Sequence, residues 1–140
     1  MNILITGGAG FLGTLLSRAL LKRGALQGRA LTSLTITDLA APRDADIANH
    51  PLVKVDAGDL LKRIDSLFEK DYDAVFHLSS AVSGECEADF DLGLRSNLDA
   101  TRRMLDAVRA QYTRTGQAAL FFFASSVAVF GSDPAIPLGA

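Results

Sequence analysis

The sequence predicts an α/β domain built on a doubly wound parallel sheet, and three observations carry that prediction. Five short runs rich in Ile, Leu, Val and Phe alternate with longer segments of helical period, the arrangement of a parallel sheet with crossover helices. Most of these runs are apolar almost throughout, as required of strands whose two faces are both covered by helices. The first run passes through a glycine cluster straight into an amphipathic segment, which sets a helix N-terminus at the carboxyl end of a strand.

Strands are expected at Asn2–Thr6, Leu34–Asp38, Leu52–Asp56, Ala74–Leu78 and Leu120–Ala124. They form a sheet of about five strands in the order 3-2-1-4-5. The first helix is expected from Phe11 to Arg23, with Leu12, Leu15, Leu16, Ala19 and Leu20 on one stripe and Gly24 as its stop. A second falls near Leu60–Glu69. The third and longest runs from Phe90 to Arg114, with Leu94, Leu98, Thr101, Leu105 and Val108 on one face and Gly93 weakening its first turns. No repeat, low-complexity tract or linker interrupts the chain, so residues 1–140 read as one unit. From Gly131 onward, Pro134 and Pro137 mark a loop.

The chain has 140 residues, 49% hydrophobic and 21% charged, which is ordinary globular composition with enough apolar surface for a core. Its formal net charge of −2 supplies no cationic field, which argues against a nucleic-acid partner or an anionic membrane surface. Cys86 is the only cysteine, so there is no internal disulfide and no closed zinc site, and a reducing, cytoplasmic setting fits. The N-terminal apolar run is ended by glycines and lacks a basic start, unlike a signal peptide. Ala118–Phe130 is interrupted by Ser125 and Ser126 and is too short to span a bilayer.

The chemistry concentrates at Thr6-Gly7-Gly8-Ala9-Gly10-Phe11-Leu12-Gly13. A strand, a glycine loop and a helix N-terminus in that order make an anion site, because free backbone N–H groups and the positive end of the helix dipole converge there. Three glycines alone would arise by chance in about one chain of this length in twenty; placement at the first strand-to-helix turn makes the signal specific for the Rossmann arrangement. Asp38 ends the second strand, where that arrangement sets an acid on the adenosine ribose. Its spacing from the glycine loop is longer than usual, and the Gly24–Ser33 connection can absorb the excess. Asp59 precedes the second helix and reads equally as an N-cap. His77 reads as a packed, hydrogen-bonded histidine. Glu85, Glu87, Asp89 and Asp91 read as a solvated loop with no metal, and Phe121–Phe123 as core strand residues.

Taken together, TGGAGFLG at Thr6–Gly13, AGDL at Ala57–Leu60, DAVFHLSS at Asp73–Ser80, NLDAT at Asn97–Thr101 and FFFASSVAVFG at Phe121–Gly131 resemble successive motifs of the extended short-chain dehydrogenase/reductase family. That family includes NAD-dependent nucleotide-sugar epimerases and dehydratases. The stretch Ala81–Arg102 is most similar to the branch that oxidises a small sugar acid with NAD.

The resemblance implies NAD as cofactor, with Gly7, Gly10, Gly13 and the backbone of Phe11 and Leu12 on the pyrophosphate and Asp38 on the ribose. It implies Asp59 and Leu60 beside the adenine, and Leu78, Ser79 and Ser80 along the nicotinamide side. The family usually carries Ala where these serines stand, so their hydroxyls have no assigned role. Asn97 would face the fourth strand and help to hold the site, or would be a satisfied buried amide. Ser126 matches the catalytic Ser or Thr that hydrogen-bonds the reacting oxygen; without the family it would be a strand-end residue bonding to a turn.

The family's Tyr, with Lys four residues later, has no counterpart here: Phe76 follows Tyr72 at that spacing and Gly116 follows Tyr112. The expected unit is therefore an incomplete NAD-binding Rossmann domain, cut before the later strands and the substrate domain and inactive by itself. The function expected of the whole is oxidation of a secondary alcohol of a small sugar acid. A nucleotide-sugar epimerase or dehydratase is the second reading and a non-catalytic NAD-binding module the third. A small-molecule substrate and a homo-oligomeric state are expected.

Overall fold

A computed structural model describes residues 1–131; the expected loop around Pro134 and Pro137 lies outside them. The chain runs β1 (Asn2–Thr6), α1 (Phe11–Arg23), β2 (Ala25–Leu26), β3 (Arg29–Ala30), β4 (Ser33–Asp38), α2 (Ala45–Ala48), β5 (Val53–Ala57), α3 (Leu60–Leu67) and β6 (Ala74–His77). It continues through α4 (Ser83–Ala88), α5 (Phe90–Gly93), a π-helical turn (Leu94–Asp99), α6 (Ala100–Thr115), β7 (Leu120–Phe123) and a 3-10 turn (Val127–Phe130).

Five strands pair in parallel in the order β5-β4-β1-β6-β7, the expected Rossmann-like order. Registers Thr6↔Thr37, Thr6↔His77, Asp38↔Ala57 and His77↔Phe123 align all five carboxyl ends along one edge. Alternate residues of each strand enter separate cores. Ile3, Ile5, Leu34 and Ile36 pack with Leu20 of α1 and Ile47 of α2. On the opposite face Leu4 and Val75 pack with Ile64 and Leu67 of α3 and Met104 of α6. Both faces are thus covered, which is why β1, β6 and β7 are apolar almost throughout, whereas β4 (SLTITD) and β5 (VKVDA) alternate polar and apolar residues.

Two helix faces differ from expectation. In α1 the buried stripe is Gly13, Ser17 and Leu20, while Leu12, Leu15 and Ala19 are exposed. The cause is backbone contact: a Cβ on Gly13 would stand 2.3 Å from the Gly7 carbonyl oxygen, so the helix is turned to lay Gly13 on the glycine loop. In α6 the buried residues are Ala100, Met104 and Gln111, and Leu94, Leu98 and Leu105 are exposed. The π turn ahead of α6 breaks the 3.6-residue period on which the expected face relied. The polar Gln111 is drawn inward because its amide donates to the Tyr72 carbonyl at 2.7 Å and accepts the Tyr72 N–H at 3.0 Å.

The β2–β3 hairpin, with Gln27 and Gly28 at its turn, takes up the long connection between α1 and β4. Glu85, Glu87 and Asp91 of the acidic run lie in α4 and α5 rather than in a loop, with the extended Asp89 between the two helices, and two of its members act locally: Glu85 accepts the Val82 N–H and Asp89 accepts the Leu92 N–H. Phe122 and Phe123 are half exposed rather than core, because β7 is the outer strand among the described residues.

Replacing Gln111 with Leu leaves the buried N–H and C=O of Tyr72 without partners, each worth about 1–3 kcal/mol. Urea unfolding of Gln111→Leu is expected to show a loss of about 2–4 kcal/mol with an unchanged denaturant slope.

Candidate functional site

The carboxyl edge of the sheet opens into a cleft of about 520 Å³, at the place where strand order reverses on either side of β1. Gly7, Gly10, Asp38, Asp59, Leu60 and the Leu78–Ser80 segment line it. These come from four separate loops that only the fold brings together.

The glycine loop is fixed by close backbone packing. Gly7 has φ +68 and a Cβ there would lie 2.7 Å from the Ser79 amide nitrogen and 2.8 Å from the Leu78 carbonyl carbon, so neither the conformation nor the space admits a side chain. The loop closes through Gly10 N–H to Gly7 C=O at 3.2 Å and crosses to β4 through Gly8 N–H to Thr37 C=O, also 3.2 Å. At the start of α1, the Gly10 cap has no side-chain hydrogen bond and the first turn holds no acid. The N–H groups of Phe11 and Leu12 have no acceptor among the described residues. An uncompensated positive helix end with free donors fits a phosphate group. Phe11 and Leu12 direct their side chains outward, being 79% and 60% exposed, so only their backbone can serve there.

Asp38 stands at the end of β4 with one carboxylate oxygen accepting the Ala9 N–H at 3.0 Å and the other the Leu39 N–H at 2.7 Å. It braces the glycine loop while lining the cleft, a role its sequence position did not reveal. Asp59 caps α3, accepting the Leu61 N–H at 3.0 Å, and also lines the cleft, so both of its readings coexist.

On the other side of β1, Asn97 differs from expectation in facing the turn after β6 rather than the strand, and it is exposed rather than buried. Its Oδ1 accepts the Ala81 N–H at 2.8 Å and its Nδ2 donates to the Ala81 carbonyl at 3.0 Å, clamping that residue from both sides. Ser79 turns its hydroxyl inward onto Thr6 Oγ1 at 3.0 Å, whereas Ser80 is exposed. His77 is buried between Thr6 and Thr101, and burial pushes its pKa down to about 4. Ser126 is exposed just past the carboxyl end of β7, where its Oγ accepts the Ala128 N–H at 3.2 Å. It does not line the cleft. Arg95 and Leu61 do line it and went unread in the sequence; Arg95 is two residues before Asn97, inside the π turn.

No group of three or more metal-ligating side chains occurs among the described residues, and no described helix is long and apolar enough to cross a membrane.

His77 also makes stability depend on pH. Its folded pKa lies below the ordinary value of 6.5, so between about pH 6.5 and 4 the unfolded chain binds more protons and stability falls as pH falls. The loss attributable to His77 is on the order of 2–3 kcal/mol. Urea unfolding at pH 7.5 and pH 5 is expected to show a larger drop for the native chain than for His77→Gln; equal drops would refute it.

Comparison with known proteins agrees with this geometry. The chain is 48% identical to a D-erythronate dehydrogenase of Cupriavidus necator over 95% of its own length and 41% of the relative's. A crystal structure of a nucleoside-diphosphate-sugar epimerase from Agrobacterium tumefaciens superimposes with TM-score 0.85 at 40% identity, covering 94% of this chain and 39% of that one. MoeE5 in complex with UDP-glucuronic acid and NAD superimposes with TM-score 0.73 at 26% identity, covering 95% and 39%. The chain therefore spans about two fifths of the length of the relatives it matches. Residues 3–140 match the NAD dependent epimerase/dehydratase family, and the chain belongs to that family.

Proposed function

We propose that this chain is the NAD-binding part of an oxidoreductase that oxidises a secondary alcohol of a small sugar acid. The 48% identity to D-erythronate dehydrogenase carries the reading, and the cleft supports it. Gly7, Gly10 and Gly13 let the backbone approach a pyrophosphate, which the free N–H groups of Phe11 and Leu12 bind. The Asp38 carboxylate takes the adenosine ribose, and Asp59 with Leu60 flanks the adenine. Leu78, Ser79 and Ser80 line the nicotinamide half, with Asn97 holding their turn. NAD, when bound, supplies the hydride acceptor.

Ser126 is proposed to hydrogen-bond the substrate hydroxyl. Its Oγ accepts from Ala128, which leaves the hydroxyl proton available for donation. Proton removal is assigned to a Tyr assisted by Lys, a pair that the 140 residues do not contain; general acid–base groups of this kind contribute about 10² to 10⁴ in rate. Because the chain spans about two fifths of its relatives' length, we read it as part of a larger enzyme, and we further propose that this enzyme is homo-oligomeric and cytoplasmic. The likeness to a nucleoside-diphosphate-sugar epimerase favours a second reading, a redox-neutral epimerisation or dehydration of a nucleotide sugar.

The 140-residue chain is expected to bind NAD at least about tenfold more tightly than NADP, because a carboxylate opposes a 2′-phosphate. Asp38→Asn, which keeps an oxygen to accept the Ala9 N–H, is expected to erase most of that difference in a fluorescence titration. Equal affinities in the native chain would refute the assignment. The chain alone is expected to give no turnover. A longer protein with the Tyr–Lys pair is expected to accumulate NADH with D-erythronate; conversion of a nucleotide sugar without NADH would establish the second reading instead.

A further inference from the structure

We propose that His77 is a positioning residue: through its imidazole, one directed chain of hydrogen bonds ties the Leu78–Ala81 turn of the cleft to the π turn before α6 and holds that turn ready for ligand. This rests on the cleft being the cofactor site.

The direction of every bond follows from the chemistry of its ends. Thr101 Oγ1 lies 2.8 Å from the Asn97 carbonyl, which can only accept, so the Thr101 hydroxyl donates to it. Its lone pairs then face His77 Nε2 at 3.1 Å, and Nε2 must carry the proton. His77 is neutral at ordinary pH, because burial lowers its pKa, so Nδ1 is bare and accepts the Thr6 hydroxyl at 2.7 Å. With its proton spent there, Thr6 Oγ1 can receive the Ser79 N–H at 3.3 Å and the Ser79 hydroxyl at 3.0 Å. Each donor has one acceptor and no conflict arises.

The chain ends on a backbone carbonyl, which cannot take up a proton. It is therefore a strut rather than a proton wire. Thr6 and His77 are fully buried, and the imidazole is flanked by the Phe121 and Phe123 rings, with centroids 6.1 and 6.0 Å away. The Thr6–His77 bond at the middle of the chain is buried, and in such surroundings it is strengthened. The strut also accounts for the Ser79 hydroxyl, which is the first donor of the chain and is bonded to Thr6 Oγ1.

Two supports thus reach one turn from a single stretch of helix. Asn97 grips Ala81 directly, and Thr101 reaches Ser79 through His77 and Thr6. Gly7 lies flat on the Leu78–Ser79 peptide, so the position of that peptide is transmitted to the glycine loop.

The test uses the 140-residue chain and Thr101→Val, which removes the hydroxyl that ends the chain, beside Thr101→Ser, which keeps it. Long-range ¹H–¹⁵N NMR of the native chain is expected to show His77 with its proton on Nε2; a proton on Nδ1 overturns the assignment. In Thr101→Val the Ser79 amide, which Thr101 does not touch, is expected to exchange with solvent about tenfold faster, and in Thr101→Ser to exchange at the native rate. Unchanged exchange in Thr101→Val, or equal acceleration in both variants, overturns the strut. Titration with NAD is expected to show about threefold to tenfold weaker binding for Thr101→Val alone; equal affinity of all three chains overturns the positioning role. Absence of NAD binding by the native chain would instead refute the proposed function, leaving the strut to be decided by tautomer and exchange.

Discussion

Contact among three stretches of bare backbone sets the geometry of the whole carboxyl edge. Gly13 of α1 rests on Gly7 and Gly8, and Gly7 rests on the Leu78–Ser79 peptide, so helix, loop and neighbouring turn are stacked with no side chain between them. Because packed interiors leave no room to absorb an extra methyl group, the rotation of α1 is dictated here rather than by its leucines. Apolar burial follows that rotation: Leu20 enters the core, while Leu12 and Leu15 stay outside it.

The polar groups of the edge complete what the backbone contact begins. Asp38 is bonded to the Ala9 and Leu39 N–H groups, which spreads its negative charge onto fixed donors and ties β4 to the glycine loop. Across β1, hydrogen bonds from Thr6, His77 and Asn97 do for the Leu78–Ala81 turn what Asp38 does for the glycine loop. Both loops are therefore held by buried or two-point polar contacts, and preorganisation of this kind lowers the ordering cost that a ligand must meet.

Sequence reasoning reached the parts of this arrangement that have a short-range signature. The five apolar runs give their strands to within a residue or two, α1 is bounded as expected by Gly10 and Gly24, and the parallel order follows from alternation with helices. What it missed depends on contacts between residues far apart in the chain. The inward turn of Gln111 requires the Tyr72 backbone opposite it. The π turn at Leu94–Asp99 carries no period of its own, and the apolar row Leu94, Leu98 and Leu105 imitates a core face that the folded chain leaves exposed. Asp38 was legible as a residue at a strand end, but its bond to Ala9 was not, because spacing records separation along the chain and not which N–H will lack a partner. The serines at 79 and 80 look alike in sequence and differ completely in place, one bonded inward to Thr6 and the other exposed along the cleft.

The two halves of the carboxyl edge present different chemical groups to the cleft. The half formed by α1, β4 and β5 presents backbone donors and an acid, groups suited to a dinucleotide whatever reaction follows. The other half presents side chains instead: Glu85 lines it from α4, and Arg95 and Ser96 line it from the π turn. On the proposed function, a sugar acid and a nucleotide sugar would both bring an anion to the Arg95 side of the cleft, and that one cation would not separate them by charge alone. On that proposal, discrimination would come from where the anion sits relative to the reacting hydroxyl, since the carboxylate of a small acid lies a bond or two from that carbon whereas a diphosphate lies across a sugar ring. The proposed function thus keeps cofactor recognition constant on this scaffold and lets the distance between anion site and hydride path separate its two readings.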